Sequence, residues 1–177
     1  MEEIRRAWWK EAAVYQIYPR SFCDSNGDGI GELPGVLQKL VYLEELGINA
    51  IWLSPVYKSP NDDNGYDTAG YQEIMEEFGT MEDWERLRDA CHRRGMKLIM
   101  DLVVNHTSDE HIWAKRAKAG EEAFQQRYFF YDNWDIPNLY EQTVPQVFPT
   151  TAPGSFSWCP GVGEGVMTSF YPSQWDL

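Results

Sequence analysis

The sequence predicts an α/β protein: the first three βα strands of a (β/α)8 barrel (a TIM barrel), then a largely irregular excursion after strand 3. Three observations carry this. Apolar, β-branched stretches begin near residues 13, 50 and 97, a spacing of roughly forty that suits βα units of a parallel sheet. Stretches of helical periodicity lie between them. The turn before each strand is short and the loop after it long, which gathers variable material at the carboxyl-end face of the sheet.

Taken in order, Ala13-Val-Tyr-Gln-Ile-Tyr-Pro19 is the first strand, β-branched and aromatic and closed by proline. Pro34 opens a helix to about Leu46, with Val36, Leu37, Leu40, Leu43 and Leu46 on one face, and Gly47 stops it. Asn49-Ala-Ile-Trp-Leu-Ser54 is the second strand, and a polar loop runs on to about Tyr71. Thr80 caps a helix over Met81–Arg94 that buries Trp84, Leu87 and Ala90 or Cys91 before Gly95. Lys97-Leu-Ile-Met-Asp-Leu-Val-Val-Asn-His-Thr107 then reads as a strand buried on both faces, with Asp101 inside it. A carboxylate there is costly unless paired or working. Beyond it, Glu110 to about Gln126 reads as helix. Tyr128 onward is rich in aromatics and proline, with no clean period. The implied domains are 1–106, the barrel part, and 107–177, an incomplete excursion.

Composition bounds the function. The net charge of −13 and a pI near 4.5 argue against nucleic acid and anionic membrane surfaces. No apolar run reaches 18 residues, and the start, Met1 to Arg6, shows no secretory core. Cys23, Cys91 and Cys159, odd in number and scattered, fit a reducing cytoplasm. Eight Trp and ten Tyr suit sugar stacking or a large core equally.

Two loops carry chemistry. Asp24-x-Asn26-x-Asp28-Gly29 places three oxygen side chains at alternate positions around a turn. With the Ile30 carbonyl and Glu32 it resembles the first half of a calcium loop, though not an EF-hand, since no helix precedes it. The expected ion is Ca2+ or Mg2+ in a structural role; without one, the stretch is an Asx/Gly turn. Asn61-Asp-Asp-Asn-Gly-Tyr-Asp67 gathers carboxylates and a Tyr ring that can hold sugar hydroxyls, or form a solvated turn. His106 ends the third strand on the same predicted face.

Asp101-Leu-Val-Val-Asn-His106, Gly65-Tyr-Asp67, Tyr15-Gln-Ile-Tyr-Pro-Arg-Ser-Phe22 and Ile51-Trp-Leu-Ser-Pro55 together resemble the α-amylase family of glycoside hydrolases and transglucosidases. Residues 8–113 are similar to its oligo-1,6-glucosidase and α-glucosidase branch, through Gly27-Asp-Gly-Ile-Gly-Glu32 and Ser59-Pro-Asn-Asp-Asp-Asn-Gly-Tyr66. The tail, through Trp113–Gly120, Val147-Phe-Pro149, Ala152–Trp158 and Gln174-Trp-Asp-Leu177, resembles amylosucrase-type enzymes. The resemblance implies that Asp63 and Tyr66 contact the non-reducing-end glucose, that His106 binds a hydroxyl and that Asp101 orders the site. It matches Asp24, Asn26, Asp28, Ile30 and Glu32 to the branch's metal loop. Asn105 falls where α-amylases hold calcium, an ion the glucosidase branch usually lacks.

The family's retaining chemistry needs two carboxylates about 5 Å apart, carried after its fourth and fifth strands, with a third carboxylate after the seventh. No motif promotes Asp109, Glu110 or Asp176 to those roles, so no catalytic residue is expected in this chain. It reads as an N-terminal fragment of an enzyme acting on α-glucan oligosaccharides or sucrose, inactive in isolation. The alternative is a non-catalytic carbohydrate-binding or regulatory module of the same fold. A doubly wound nucleotide-binding domain is disfavoured, because the loop after the first strand is acidic and repels phosphate.

Overall fold

The computed structural model describes residues 7–177; the start read above, Met1 to Arg6, lies outside them. The chain divides into two compact units, one of residues up to Val56 together with Glu73–Leu102, the other of Tyr57–Gln72 with Val103–Leu177. The division therefore runs at 102/103, and the loop after the second strand joins the second unit.

In the first unit, β1 (Val14–Ile17), β2 (Ala50–Leu53) and β5 (Lys97–Met100) form a parallel sheet in the order β1-β2-β5. The helical stretch before β2 is two pieces, α1 (Leu33–Gln38) and α2 (Leu40–Glu45), broken at Lys39 with φ −93° and ψ 2°. They bury Leu33, Val36, Leu40 and Leu43, whereas Leu46, expected on the same face, is exposed. Helix α3 (Met81–Arg93) buries Leu87, Ala90 and Cys91. Thr80 closes its start in a reciprocal capping box with Asp83.

Both helical segments stop in the same way. After α2, Gly47 N–H donates to the Glu44 carbonyl at 2.9 Å and Ile48 N–H to that of Leu43 at 3.1 Å. After α3, Gly95 and Met96 repeat this on His92 and Cys91, each at 3.0 Å. The glycines have φ of +83° and +70°, the left-handed cap that glycine adopts without a Cβ penalty. Each cap turns the chain directly into the next strand, with Ile48 and Met96 folded onto the core.

The third strand is shorter than the apolar run. It ends at Met100; Asp101 to Val104 are not strand, and Leu102 and Val104 are 70% and 63% exposed. Burial on both faces is not found even in β5, where Lys97 is exposed and Leu98, Ile99 and Met100 are half-buried, because among the described residues β5 is an edge strand paired with β2 alone and a strand with one neighbour loses half its ladder.

The second unit has more regular structure than its sequence suggested. Its Tyr57–Gln72 stretch forms a ribbon of β3 (Tyr57–Lys58) and β4 (Gly70–Ile74), the last two residues of β4 being counted with the first unit. Strand β6 (His106–Ser108) pairs antiparallel with β10 (Gln174–Asp176). The single helix expected over 110–126 is two, α4 (Ile112–Lys118) and α5 (Glu122–Gln125), separated at Gly120 with φ +90°. Strands β7 (Phe130–Tyr131), β8 (Phe156–Cys159) and β9 (Glu164–Met167) form an antiparallel sheet, and α6 (Asp135–Thr143) lies between β7 and β8 in sequence. Ala114, Ala117, Tyr128, Cys159, Val166 and Trp175 form its core. The strands were missed because segments of two to four residues are too short to display a period of two. All three cysteines are free. No helix among the described residues is long and apolar enough to cross a membrane.

A Cβ added at Gly35 would fall 1.8 Å from the Cys23 carbonyl oxygen, a backbone atom that cannot rotate away. Gly35→Ala is therefore expected to cost about 3 kcal/mol or more, and Thr80→Ala about 1 kcal/mol. Urea unfolding midpoints of the two variants check the ranking.

Candidate functional site

The second unit brings three of the predicted sugar-contact residues together. The loop from Ser59 to Asp67 is wound around the buried Asp67 carboxylate. That group accepts from Ser59 Oγ (2.8 Å), Asp62 N–H (2.9 Å) and Asp63 N–H (3.2 Å). Asn61 and Asn64 take left-handed φ of 66° and 52°, a conformation that Asn tolerates better than most residues. Tyr66 N–H closes the turn on the Asp63 carbonyl at 2.9 Å, so Asp63 and Tyr66 are presented as one piece.

His106 enters from β6. Its Nε2 lies 3.0 Å from the Tyr66 carbonyl oxygen, and its Nδ1 lies 3.3 Å from Asn105 Nδ2. A carbonyl only accepts, so the Tyr66 contact calls on Nε2 as a donor, while an amide nitrogen only donates, so Asn105 calls on Nδ1 as an acceptor. The Tyr71 hydroxyl, donating to Val103 O (2.6 Å) and close to His106 O (3.1 Å), holds the backbone that carries the ring.

Sequence reasoning gave no role to Gln174, yet it ties the group together. Its Oε1 accepts from Tyr171 N–H at 2.9 Å, which fixes the amide so that Nε2 points the other way. That Nε2 donates to Asp63 Oδ2 at 3.0 Å and lies 3.1 Å from His106 Nε2. Phe170 stands edge-on to the His106 ring, centroids 5.3 Å apart. Gln174 is 111 residues from Asp63 in sequence; the Gln174-Trp-Asp-Leu177 motif entered the resemblance, but nothing in it named Asp63 as the partner. Burial raises the Asp63 carboxyl above its ordinary range; the Gln174 hydrogen bond opposes this and the Asp67 charge adds to it.

Asp101 belongs to the first unit, directly after β5. Trp52 of β2 donates its indole N–H to Asp101 Oδ1 at 2.6 Å, which orients the carboxylate at the carboxyl end of the sheet. The acids without a motif have partners of their own: Asp109 with Lys118 (2.7 Å) and Glu110 with Lys115 (2.8 Å), while Asp176, opposite His106 in register, is held by Ser169 and Asn105.

The oxygen-rich loop also lies in the first unit. Asp24, Asp28 and Glu32 place carboxylate oxygens within 4.8 Å of one another, and among the described residues this is the cluster of acids, His or Cys close enough to hold a metal. Asp24 accepts backbone N–H groups from Gly27 (2.6 Å) and Gly29 (2.8 Å), which hold its carboxyl below the usual range. Asp28 Oδ1 accepts from Ile30 N–H at 2.8 Å. Glu32 is buried; its Oε1 accepts from Ser25 N–H at 2.8 Å, and its Oε2 is buried with no hydrogen-bond partner. A buried carboxylate oxygen without a hydrogen-bond partner, on a residue clustered with two other acids, fits a hard cation.

A family model described as "Alpha amylase, catalytic domain" matches residues 16–176. The chain belongs to the α-amylase family. Among curated members it is 57% identical over 141 residues to an oligo-1,6-glucosidase of Parageobacillus thermoglucosidasius, covering 78% of this chain and 25% of the relative. It is 61% identical over 128 residues to an oligo-1,6-glucosidase of Bacillus cereus, covering 72% and 23%. Among solved structures of the family, trehalulose synthase MutB from Pseudomonas mesoacidophila MX-45 superposes with TM-score 0.87 at 43% identity, over 97% of this chain and 30% of that one. A MutB mutant in complex with the substrate sucrose gives 0.88 at 44% over the same shares. The chain thus spans about a quarter of the length of these curated relatives, and the likeness to MutB supports the α/β fold.

Because its folded pKa is raised, ionised Asp63 opposes folding above that pKa, and the cost vanishes below the unfolded value of about 3.9. Asp63→Asn is expected to raise the thermal midpoint at pH 7, with the gain fading as the pH falls toward 4. Thermal unfolding of both proteins across that range checks the sign.

Proposed function

We propose that this chain is the sugar-holding, N-terminal part of a retaining α-glucoside hydrolase or transglucosidase. The observation that carries the reading is the cluster in which Gln174 bridges Asp63 and His106. A carboxylate beside an imidazole and a primary amide offers both acceptors and donors to neighbouring hydroxyls of one glucose unit. The Phe170 and Tyr66 rings add apolar surface for its C–H faces. Asp101, whose carboxylate Trp52 orients within the first unit, keeps in this reading the role that the family resemblance implies for it. In this reading β1, β2 and β5 are the first three strands of the (β/α)8 barrel, and the chain from residue 107 is its excursion after the third.

The ligand is an α-glucan oligosaccharide or sucrose. Relatives named for oligo-1,6-glucosidase activity, a MutB mutant in complex with sucrose, and the amylosucrase-like motifs of the tail support it. Bond cleavage requires a nucleophile and an acid/base about 5 Å apart, and Asp109, Glu110 and Asp176 are committed to other partners. The proposed role here is binding and orientation, in a reducing cytoplasm that suits three free thiols.

Asp24, Asn26, Asp28, the Ile30 carbonyl and Glu32 hold Ca2+ or Mg2+ in this reading. When bound, the ion supplies charge that neutralises the loop's acids; its role is structural. Calcium should raise the thermal midpoint in a concentration-dependent way, a hundredfold excess over Kd stabilising the fold by about 2.7 kcal/mol. Asp28→Ala and Glu32→Gln should remove the response. Equal midpoints with and without calcium would overturn the assignment.

Isothermal titration of the 177-residue chain with sucrose, maltose and isomaltose should give saturable binding that Asp63→Ala and His106→Ala each abolish. p-Nitrophenyl α-glucoside and the same sugars should show no turnover. Turnover that disappears on mutating one of the chain's own carboxylates would overturn the division of labour. A purely binding or regulatory module would behave alike in these assays. Reading the coding locus past Leu177 separates the two, since further βα units with the carboxylate pair belong only to the enzyme.

A further inference from the structure

We propose that the second unit carries another sugar site, a cavity of about 310 Å3 walled by Trp158, Lys118, Asp109 and Trp175, and that it takes a neutral saccharide. The cavity is also lined by Ser157, Cys159, Pro160, Gly161 and Pro172, and shares no lining residue with the Asp63–His106–Gln174 cluster. Its volume is at the lower end of small-molecule sites, ~300–1,000 Å3, enough for one or two sugar rings.

The aromatic wall is Trp158, on β8 and 53% exposed. Its register partner on β9 is Gly165, and a Cβ there would meet the Trp134 ring at 3.6 Å, so a second indole lies over the same sheet position. A large exposed indole at the mouth of a cavity offers the flat apolar surface on which the C–H face of a pyranose stacks. The polar part of the lining is a matched pair. Lys118 Nζ donates to Asp109 Oδ2 at 2.7 Å and lies 3.2 Å from the Asp109 carbonyl oxygen. It stands 5.0 Å from the centroid of the Trp175 ring, which is almost fully buried.

The charge balance selects the ligand class. An anion drawn to Lys118 meets Asp109, and a cation drawn to Asp109 meets Lys118. A vicinal diol can give a hydrogen bond to the carboxylate and take one from the ammonium, so a neutral polyol satisfies both. The frame is rigid. A Cβ on Gly161 would lie 2.5 Å from the Lys118 carbonyl oxygen, so the loop after β8 is seated directly on the end of α4, and prolines 160 and 172 restrict the rest of the rim.

The two sites meet through one ribbon. In the β6–β10 pair, Asp176 faces His106 and Trp175 faces Thr107. Side chains alternate along a strand, so Gln174 and Asp176 point to one face and Trp175 to the other. The Asp63 cluster and the Trp158 cavity thus lie on opposite sides of a three-residue strand.

The test is titration of the 15N-labelled chain with maltotriose, following tryptophan indole N–H signals, with Trp158→Phe assigning the resonance. The expected result is a saturable shift of the Trp158 signal with half-saturation on the order of 1–10 mM. It should be lost in Lys118→Met and kept in an Asp63→Ala/His106→Ala double variant. Trp158→Ala, an exposed position, should keep the thermal midpoint and lose the cavity's response, seen at the Trp175 indole. An unmoved Trp158 signal across the titration, or a shift lost with the Asp63/His106 double variant while Lys118→Met retains it, would overturn the proposal. The second outcome would leave the site of the preceding subsection intact.

Discussion

The antiparallel pairing of His106–Ser108 with Gln174–Asp176 is the constraint on which the second unit depends. It joins segments some seventy residues apart, and its period of two assigns opposite duties to adjacent residues. On one face, His106 and Gln174 meet Asp63. On the other, Thr107 shares a hydrogen bond of 2.8 Å with the Tyr128 hydroxyl, and Trp175 packs edge-on against Tyr128 and Phe130. The polar site therefore has an apolar floor one residue away. A slip of one residue would turn His106 into that aromatic core.

The polar groups of the site hold one another before any ligand arrives. Asp67 spends its oxygens on the loop that presents Asp63, Tyr71 spends its hydroxyl on the backbone below His106, and Gln174 is fixed by Tyr171. These partners remove rotamer freedom that a ligand would otherwise have to quench. The arrangement also has a stability cost, since Asp63 is partly buried beside a second carboxylate. Raised carboxyl pKa values concentrate at binding and catalytic sites for this reason. Burial likewise raises Asp176, opposed by its hydrogen bond from Ser169.

The first unit solves a different problem. Parallel strands must be re-entered from the same end, and each re-entry here uses a glycine cap followed by an apolar residue that returns to the core. This device is local, so Gly47 and Gly95 announced both strand starts from sequence. The break at Lys39 and the exposure of Leu46 were not announced, because helical periodicity continues through both positions.

The sequence by itself determined the parallel βα rhythm, the helix caps, the acidic loop at 24–32 and the resemblance that placed the chain in its family. Each of these is written in neighbouring residues, within the reach of one turn, one cap or one period. Only the tertiary structure decided that the strand at 97 stops at Met100 and that residues 103–177 build a core of their own. It alone brought Gln174 between Asp63 and His106. Those outcomes depend on which strand finds a second neighbour and which distant segments pair, and a chain's local preferences carry no record of contacts made across a hundred residues.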